Sequence, residues 1–285
     1  MGTKQSKESV PRLKGVHKKH NNTSTVNSSD NKSHILCLHG WRTCGEILSM
    51  QMAALRYNTA IDCTFIDAPF LSIGEPDAGI SFFYNNYPYY EWYLKDIEIS
   101  EIDNNNKSLN DKDTANYKTS KNIMKNLKKN FNEKECIDVS INLIIEYVDE
   151  CMKNNIFFDG VLGILNIFIK SLLLLLLLLL GFSQGAQMVT RLVHRYQSQD
   201  IPVPFKYAVL ISGVPAKEID TNGIVDIDSL HIYGTGDPFY EKSKILKEVY
   251  NNEKAVVLEH NEGHNIPSIN TNIYSFIKGW MDDKQ

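Results

Sequence analysis

The sequence lacks the features typical of secreted, zinc-binding or nucleic-acid-binding proteins. Its five cysteines are an odd number and include no C-x-x-C pair, so neither a disulfide framework nor a metal site is expected. A formal net charge of -4 provides no basic field that would attract nucleic acid. Residues 1–33 are polar and basic and contain no hydrophobic signal sequence. These absences favour a reducing compartment, and we expect a cytoplasmic protein.

Residues 1–32 predict a disordered basic tail that carries one targeting motif. The segment Met1–Ser6 matches M-G-x-x-x-[ST], the pattern for myristoylation of Gly2. Six basic residues follow the motif's glycine within the first nineteen residues: Lys4, Lys7, Arg12, Lys14, Lys18 and Lys19. One myristoyl chain binds membranes only marginally, and a polybasic patch can supply the second signal. Two interpretations stay open: peripheral membrane contact, or a disordered tail whose second residue happens to be glycine.

From residue 33 to residue 283, strand and helix patterns alternate. Short apolar runs that end at glycine, proline or a polar residue predict strands at 34–40, 61–69, 157–163, 207–213, 228–237 and 254–260. Apolar residues at helical spacing predict helices within 46–57, 137–152, 186–196 and 269–280. This alternation predicts an α/β fold with a mostly parallel sheet flanked by helices. Residues 98–135 are rich in Asn, Lys, Asp and Ser and predict a flexible polar insertion.

The stretch Gly181–Gly185 has the G-x-S-x-G form of a nucleophile elbow, with Ser183 at its centre. The turn from strand to helix is too sharp for side chains at the flanking positions, which explains the two glycines. An apolar run precedes the motif and a helical pattern follows it, as the motif requires. Backbone N–H groups at the start of that helix would favour a developing oxyanion.

A serine nucleophile needs a histidine base that is oriented by a carboxylate. Asp237 and His264 follow the serine in the order expected for this fold, each just past a predicted strand. His260 is a rival base, but it directly ends its strand, whereas His264 lies on a loop after a glycine.

Three further residues are weaker rivals for the acid and the base. His231 falls within a strand and is expected to be a core residue or a face residue. Asp226 and Asp228 precede that strand and would lie at the wrong edge of the sheet.

The loop after the first strand supplies the remaining catalytic part. Acyl transfer needs an oxyanion donor from an early strand-to-helix loop besides the residue after the nucleophile. We therefore predict that the backbone N–H groups of Trp41 and Gln184 form the oxyanion hole. His39 is expected to shape this loop rather than to act as a base. No metal ion or cofactor is required by this chemistry.

Six stretches, in order along the chain, carry a resemblance to one family: ILCLHGW, FIDAP, FFDGVLG, GFSQGA, HIYGTGD and EGHNIP. They resemble the FSH-type serine hydrolases, which include fungal "family of serine hydrolases" enzymes and the animal ovarian cancer-associated gene 2 esterases. The resemblance implies an α/β-hydrolase that acts on carboxylic esters or thioesters, with Ser183, Asp237 and His264 as its triad. The polar insertion is long for this family, so the cap over the site is expected to differ.

Residues 164–181, which include nine consecutive leucines, interrupt that resemblance. In the family pattern the strand runs straight into the elbow as FDGVLGFSQGA, and deletion of these eighteen residues restores it. Codons at the two ends permit splice junctions (G|GTAT after Gly163 and TTAG|G at Leu180). Pyrimidine-rich leucine codons would form the tract that precedes an acceptor. We therefore predict a translated intron or a gene-model artefact.

A membrane span is a poor alternative for the leucines. As a helix, nine leucines reach only ~14 Å of the roughly 30 Å of hydrocarbon, and extension backwards brings in Lys170. A span would also separate the loop at His39 from Asp237 and His264. As a strand the run is overlong, and it would compete with residues 157–163 for one place in the sheet.

The sequence thus predicts a serine hydrolase that cleaves small-molecule acyl esters or thioesters through an acyl-enzyme. Two alternatives remain: an inactive hydrolase-fold binding protein and a membrane-anchored scaffold. An aromatic cluster could line an acyl pocket or simply pack; its members are Tyr84, Tyr87, Tyr89, Tyr90, Trp92 and Tyr93.

Overall fold

The computed structural model describes residues 34–59, 61–72, 74–94, 132–153, 177–220, 224–267 and 271–284. Four predicted features lie wholly or mainly outside these ranges: the tail at 1–32, the insertion up to residue 131, the strand at 157–163 and the leucine-rich segment up to residue 176.

Helices and strands alternate through the described ranges. The strands are β1 (His34–Leu38), β2 (Asp62–Ile66), β3 (Phe70–Leu71), β4 (Tyr90–Glu91), β5 (Leu177–Phe182), β6 (Phe205–Ile211), β7 (Asp228–Gly234) and β8 (Ala255–His260). The helices are α1 (Gly45–Gln51), α2 (Ala53–Thr59), α3 (Ala78–Tyr84), α4 (Glu133–Lys153), α5 (Gln184–Ser198), α6 (Tyr240–Val249) and α7 (Thr271–Asp282).

Six of these strands form one sheet in the order β2-β1-β5-β6-β7-β8. Every neighbouring pair in it is parallel, and β3 and β4 form a separate antiparallel ribbon. Parallel strands are covered on both faces, which is why they read as continuous apolar runs in the sequence. The predicted α/β fold with a mostly parallel sheet is confirmed. Because the strands are parallel, their carboxyl ends meet at one edge, where the loops that follow β1, β5, β7 and β8 all emerge.

Helices bury apolar side chains against both faces of the sheet. On one face, α4, α5 and α6 pack over Leu179 and Leu210, with Ile144 of α4 in the same cluster. On the other face, α1, α2 and α7 pack over Leu180 and Val209. Alternate residues of β5 and β6 therefore point into opposite halves of the core, as strand geometry requires.

The helical pattern predicted within 46–57 is present, but the buried face differs from the predicted one, which consists of Ile47, Met50, Ala54 and Tyr57 at helical spacing. A break at Met52 separates α1 from α2, so the pattern is divided between two short helices. Met50 and Tyr57 point outward, and Tyr57 is 88% exposed. The buried side chains are Ile47, Leu48, Met52 and Leu55. Tertiary contact with the sheet and α7 selected this face over the one suggested by local spacing.

The amphipathic helix predicted at 137–152 is α4, which begins four residues earlier, at Glu133. The side chain of Asn132 accepts a hydrogen bond from the Glu135 N–H, and the Glu135 carboxylate accepts one from the Asn132 N–H. This reciprocal pair satisfies backbone donors at the start of the helix. The sequence predicts one apolar face that consists of Ile137, Ile141, Ile144, Val148 and Met152. The first four are buried, and Met152 is half-buried against the same core.

The last four leucines of the run form the first part of β5, at the centre of the sheet. Leu179 and Leu180 are buried, and the strand pairs with β1 on one side and β6 on the other. Gly181 and Phe182 complete β5 and lead directly into Ser183. In the full-length chain, leucines therefore form most of the strand between β1 and β6. The competing strand candidate at 157–163 lies outside the described residues.

Among the helices of the described ranges, none combines the length and the apolar character that a membrane crossing needs. Likewise, the described residues contain no group of three or more His, Cys, Asp or Glu side chains arranged to hold a metal ion.

Excision of residues 164–181 tests whether the leucine-rich segment belongs to the working protein. The 267-residue chain would place Val161, Leu162 and Gly163 where Leu179, Leu180 and Gly181 now lie. Two of these positions keep their residue type, and the change from leucine to valine costs only about 1 kcal/mol of packing. We expect the shorter protein to be soluble and active, and the 285-residue protein to be poorly soluble or weakly active.

Sequencing of cDNA across codons 160 to 185 provides the independent check, because a translated intron would be absent from the transcripts. The prediction is wrong if every transcript retains the segment and the full-length protein has normal solubility and activity.

Candidate active site

Ser183 occupies a strained turn between β5 and α5. Its φ of 53° and ψ of -111° are unfavourable for a residue with a side chain, and such strain persists only where the surroundings enforce it. A Cβ on Gly181 would overlap the backbone of Gly185, and a Cβ on Gly185 would overlap the Leu38 carbonyl oxygen. The two glycines therefore let α5 approach β1 closely and hold the serine at the edge of the sheet.

The structure brings Ser183, His264 and Asp237 into one hydrogen-bonded relay. The Ser183 Oγ lies 3.0 Å from His264 Nε2, and His264 Nδ1 lies 2.8 Å from Asp237 Oδ2. Because a carboxylate can only accept, the Nδ1–H donates to Asp237, which leaves Nε2 to accept the serine proton. Asp237 is buried, and its second oxygen accepts the Phe239 N–H at 2.7 Å. Both carboxylate oxygens are thus fixed.

The loops after β7 and β8 are tied to each other, which positions the acid and the base together. The Gly236 N–H donates to the Glu262 carbonyl oxygen at 3.0 Å. A Cβ on Gly234 would overlap that same carbonyl, so the two loops can approach this closely only where β7 ends in glycine. This contact turns residues 261–264 inward over the carboxyl edge of the sheet.

The two rival histidines have other partners. His260 is buried at the end of β8, and its Nδ1 accepts the Glu262 N–H at 3.3 Å. His231 is a core residue whose Nε2 lies 3.1 Å from the Ser229 Oγ. Burial lowers the pKa of His231 to about 3 and also lowers the pKa of His260. Neither ring bonds to the serine.

The rival carboxylates lie at the opposite edge of the sheet, near the amino end of β7. Asp228 pairs with Lys284 at 2.6 Å, and Asp226 pairs with Lys254 at 2.9 Å. The hydrogen bond from Lys254 lowers the pKa of Asp226. Both therefore act as surface ion-pair partners.

His39 braces the loop that follows β1. Its Nε2 accepts the Ala68 N–H at 2.9 Å, and its Nδ1 therefore donates to the Gly40 carbonyl oxygen at 2.7 Å. Burial lowers the pKa of His39 to about 4, so the ring is neutral at pH 7. The Trp92 Nε1–H donates to the His39 carbonyl oxygen at 2.8 Å. These bonds fix the loop to its neighbours and leave His39 no part in proton transfer at the serine.

The two predicted oxyanion donors follow neighbouring strands. Trp41 lies in the turn after β1, and Gln184 is the first residue of α5, where backbone N–H groups have no acceptor within the helix. Because Leu38 of β1 pairs with Gly181 of β5, both segments emerge at the same edge as Ser183. The role of their N–H groups stays a prediction.

The members of the aromatic cluster differ in burial, and its four tyrosines between residues 84 and 90 are half-buried. Trp92 and Tyr93 are buried in the main core, and their backbone is tethered to the side chain of Gln184. The Gln184 Oε1 accepts the Trp92 N–H at 3.1 Å, and its amide donates to the Tyr93 carbonyl at 3.3 Å. Sequence reasoning missed this tether, because a contact 92 residues apart leaves no local pattern.

Two phenylalanines that flank the base were also missed. The rings of Phe182 and Phe239 each have their centroid 5.3 Å from that of His264. The sequence signal that could have identified them is their position: Phe182 directly precedes Ser183, and Phe239 lies two residues after Asp237.

A parallel α/β sheet with a strained serine elbow and a Ser–His–Asp relay at its carboxyl edge is the architecture of the α/β-hydrolases. Residues 28–164 and 176–275 match the family described as Serine hydrolase (FSH1), and the chain belongs to this family. The unmatched residues between the two stretches, 165–175, fall within the leucine-rich segment. The resemblance inferred from the six motifs is thereby confirmed.

Two curated relatives are similar over about a third of the chain. Esterase FPY3 of Fusarium mangiferae is 32% identical over 105 residues, which cover 32% of this chain and 48% of that protein. Esterase OVCA2 of Xenopus tropicalis is 30% identical over 94 residues, which cover 32% and 41% of the two proteins. The chain thus spans about half the length, or less, of the curated relatives it matches.

Solved structures share the fold at low sequence identity. A Bacillus cereus carboxylesterase aligns with a TM-score of 0.54 and 16% identity over 90% of this chain and 91% of its own. The acyl-protein thioesterase 2 of Zea mays aligns with a TM-score of 0.50 and 14% identity over 91% and 96% of the two chains.

Substitutions at the acid and the base test the relay against its rivals. Asp237→Asn and His264→Ala should each lower kcat/KM for ester hydrolysis by ~10⁴-fold, because the imidazole loses either its orientation or its presence. His260→Ala and Asp228→Asn should change it by less than about threefold, since neither side chain bonds to the relay. Steady-state kinetics with circular dichroism as a folding control make the comparison. A dead His260→Ala beside an active His264→Ala would reverse our assignment of the base.

Proposed function

We propose that the protein is a serine esterase that cleaves carboxylic esters or thioesters of small-molecule acyl substrates through an acyl-enzyme. The single observation that carries this proposal is the relay, with distances of 3.0 Å from Ser183 to His264 and 2.8 Å from His264 to Asp237. Such a relay activates a hydroxyl that is otherwise a poor nucleophile. The esterase names of the curated relatives support the same chemistry.

Acylation begins when the Ser183 Oγ attacks the substrate carbonyl carbon and its proton passes to His264 Nε2. The tetrahedral intermediate collapses as the bond from carbon to the leaving oxygen or sulfur breaks. His264 gives its proton to that leaving atom, which departs as an alcohol or thiol. The buried Asp237 carboxylate stabilises the imidazolium between these two proton transfers.

Deacylation repeats the sequence with water as the nucleophile. His264 accepts a proton from water, the hydroxide oxygen bonds to the acyl carbon, and the ester bond to Ser183 breaks. The proton returns to the Ser183 Oγ and the carboxylic acid is released. We assign stabilisation of the oxyanion in both steps to the N–H groups of Trp41 and Gln184. The α5 N-terminus adds its dipole to this hole.

Replacement of the nucleophile is the direct test of this proposal. Ser183→Ala should abolish esterase activity, by up to ~10⁶-fold if the relay acts as a unit. It should leave the free energy of unfolding nearly unchanged, because Ser183 is half-buried and its hydroxyl bonds to the half-buried His264. The measurement pairs p-nitrophenyl ester hydrolysis with labelling by a fluorophosphonate probe. More than a tenth of the activity remaining would refute the assignment.

The same labelling decides between an enzyme and an inactive hydrolase-fold binding protein. The leucine-rich segment, which leads straight into the elbow, favours that alternative if it disturbs the site. A wild-type protein that takes up no fluorophosphonate would support the binding protein, whereas labelling that depends on Ser183 supports the esterase.

We further propose that the protein is cytoplasmic and contacts membranes reversibly through an acylated Gly2 and the basic tail. Mass spectrometry of the native N-terminus should find a myristoyl group, and the protein should partition onto anionic vesicles. Gly2→Ala should remove the modification, and partitioning should then fall because the basic tail alone binds weakly. A simply acetylated or unmodified N-terminus would contradict this proposal. Extraction that requires detergent would favour the membrane-anchored scaffold instead.

A further inference from the structure

Two aromatic rings lie equally close to the imidazole of His264, but they differ in what else they can touch. Phe182 is 7% exposed and fills the space beneath the oxyanion loop, where a Cβ on Gly40 would lie only 3.0 Å from its ring. Phe239 is 41% exposed and packs on the imidazole at an interplanar angle of 70°. Of these two rings, therefore, only Phe239 presents apolar surface beside the base to an incoming molecule.

Backbone contacts anchor Phe239, the residue that carries the exposed ring. The Phe239 N–H donates to Asp237 Oδ1 at 2.7 Å, and α6 begins at the next residue, so the loop is anchored on both sides. The Lys242 ammonium lies 5.5 Å from the ring centroid and covers part of the ring without burying it. Because the anchor is a backbone group, substitution of the side chain leaves the bond to Asp237 in place.

The chemistry of the proposed reaction determines which part of a substrate lies next to this ring. His264 Nε2 must protonate the leaving atom, which places that atom within about 3 Å of the imidazole. The Phe239 centroid is 5.3 Å from the imidazole centroid, so the first carbon atoms of a leaving group on this side of the imidazole can reach the ring. The acyl chain is bonded to the carbonyl carbon and extends from Ser183 in another direction.

We propose that Phe239 is a specificity-determining residue that favours esters with an aromatic or bulky apolar leaving group. This inference rests on the proposed esterase function and adds the chemical class of the alcohol or thiol. Aromatic rings in contact stabilise each other beyond their simple area burial, whereas a methyl leaving group is too small to cover the Phe239 ring. The contact forms with the leaving group alone, so it acts on acylation and not on deacylation.

A pair of esters with the same acyl group tests this selectivity. For phenyl acetate, Phe239→Ala should lower kcat/KM by about tenfold, and for methyl acetate by less than about threefold. Phe239→Tyr, which keeps an aromatic ring, should retain most of the preference. Phe276→Ala removes an equally exposed ring, 42% exposed on α7, and should change neither ester. Division of each variant's value by that of the wild type cancels the different intrinsic reactivities of the two esters.

The outcomes separate the inference from the proposed function. An equal loss for both esters would mean that Phe239 only supports His264, and no loss for either would mean that the ring does not contact the leaving group; each result overturns the inference alone. A folded wild-type protein that hydrolyses neither ester and takes up no fluorophosphonate would overturn the esterase proposal and the inference together.

Discussion

The close approach of α5 to β1 is the constraint on which the site depends. Gly185 packs against the Leu38 carbonyl, and Gly181 packs against the backbone of Gly185. Both contacts are so close that a Cβ atom on either glycine would overlap its neighbour. This contact forces the turn between them, so Ser183 adopts its strained conformation at the edge of the sheet. The Ser183 N–H donates to the Ile211 carbonyl at 2.9 Å, which ties the turn to β6 as well. The strained conformation of Ser183 is thus held in place by the bond to β6 on one side and by the packing of α5 on the other.

The rest of the site is assembled on the same edge by contacts between loops. Glu262 accepts a backbone hydrogen bond from Gly236, and this contact brings the base beside the acid. His39 likewise joins the loop after β1, which carries one predicted oxyanion donor, to the β2–β3 connection at Ala68. The buried Asp237 carboxylate is satisfied by two donors, the Phe239 N–H and the His264 ring. Such a site is preorganised, because few groups need to move when charge develops.

The central strand, β5, shows that a local sequence pattern does not always specify the register of strand pairing. A run of leucines has no alternation and therefore no register of its own. The register of β5 is instead set by Gly181 and Ser183, which must lie at the end of the strand for the elbow to form. Residues 161–163 carry the same ending, Leu-Gly, in front of the leucine-rich segment. Sequence alone therefore leaves two candidates for one position, and pairing with β1 and β6 selects the second in the full-length chain.

By itself the sequence determined the fold class, the order of the elements, and the three residues most suited to a relay. These depend on local signals: apolar periodicity, glycines around a serine, and polar residues just past strand ends. The sequence favoured His264 over His260, but only the tertiary structure brings the His264 imidazole to the serine, across 81 residues of chain. It also selected the buried face of α1 and α2 and placed Phe239 over the base. Contacts between distant segments leave no periodic trace in the sequence, because each partner satisfies its own local pattern whether or not the other is near.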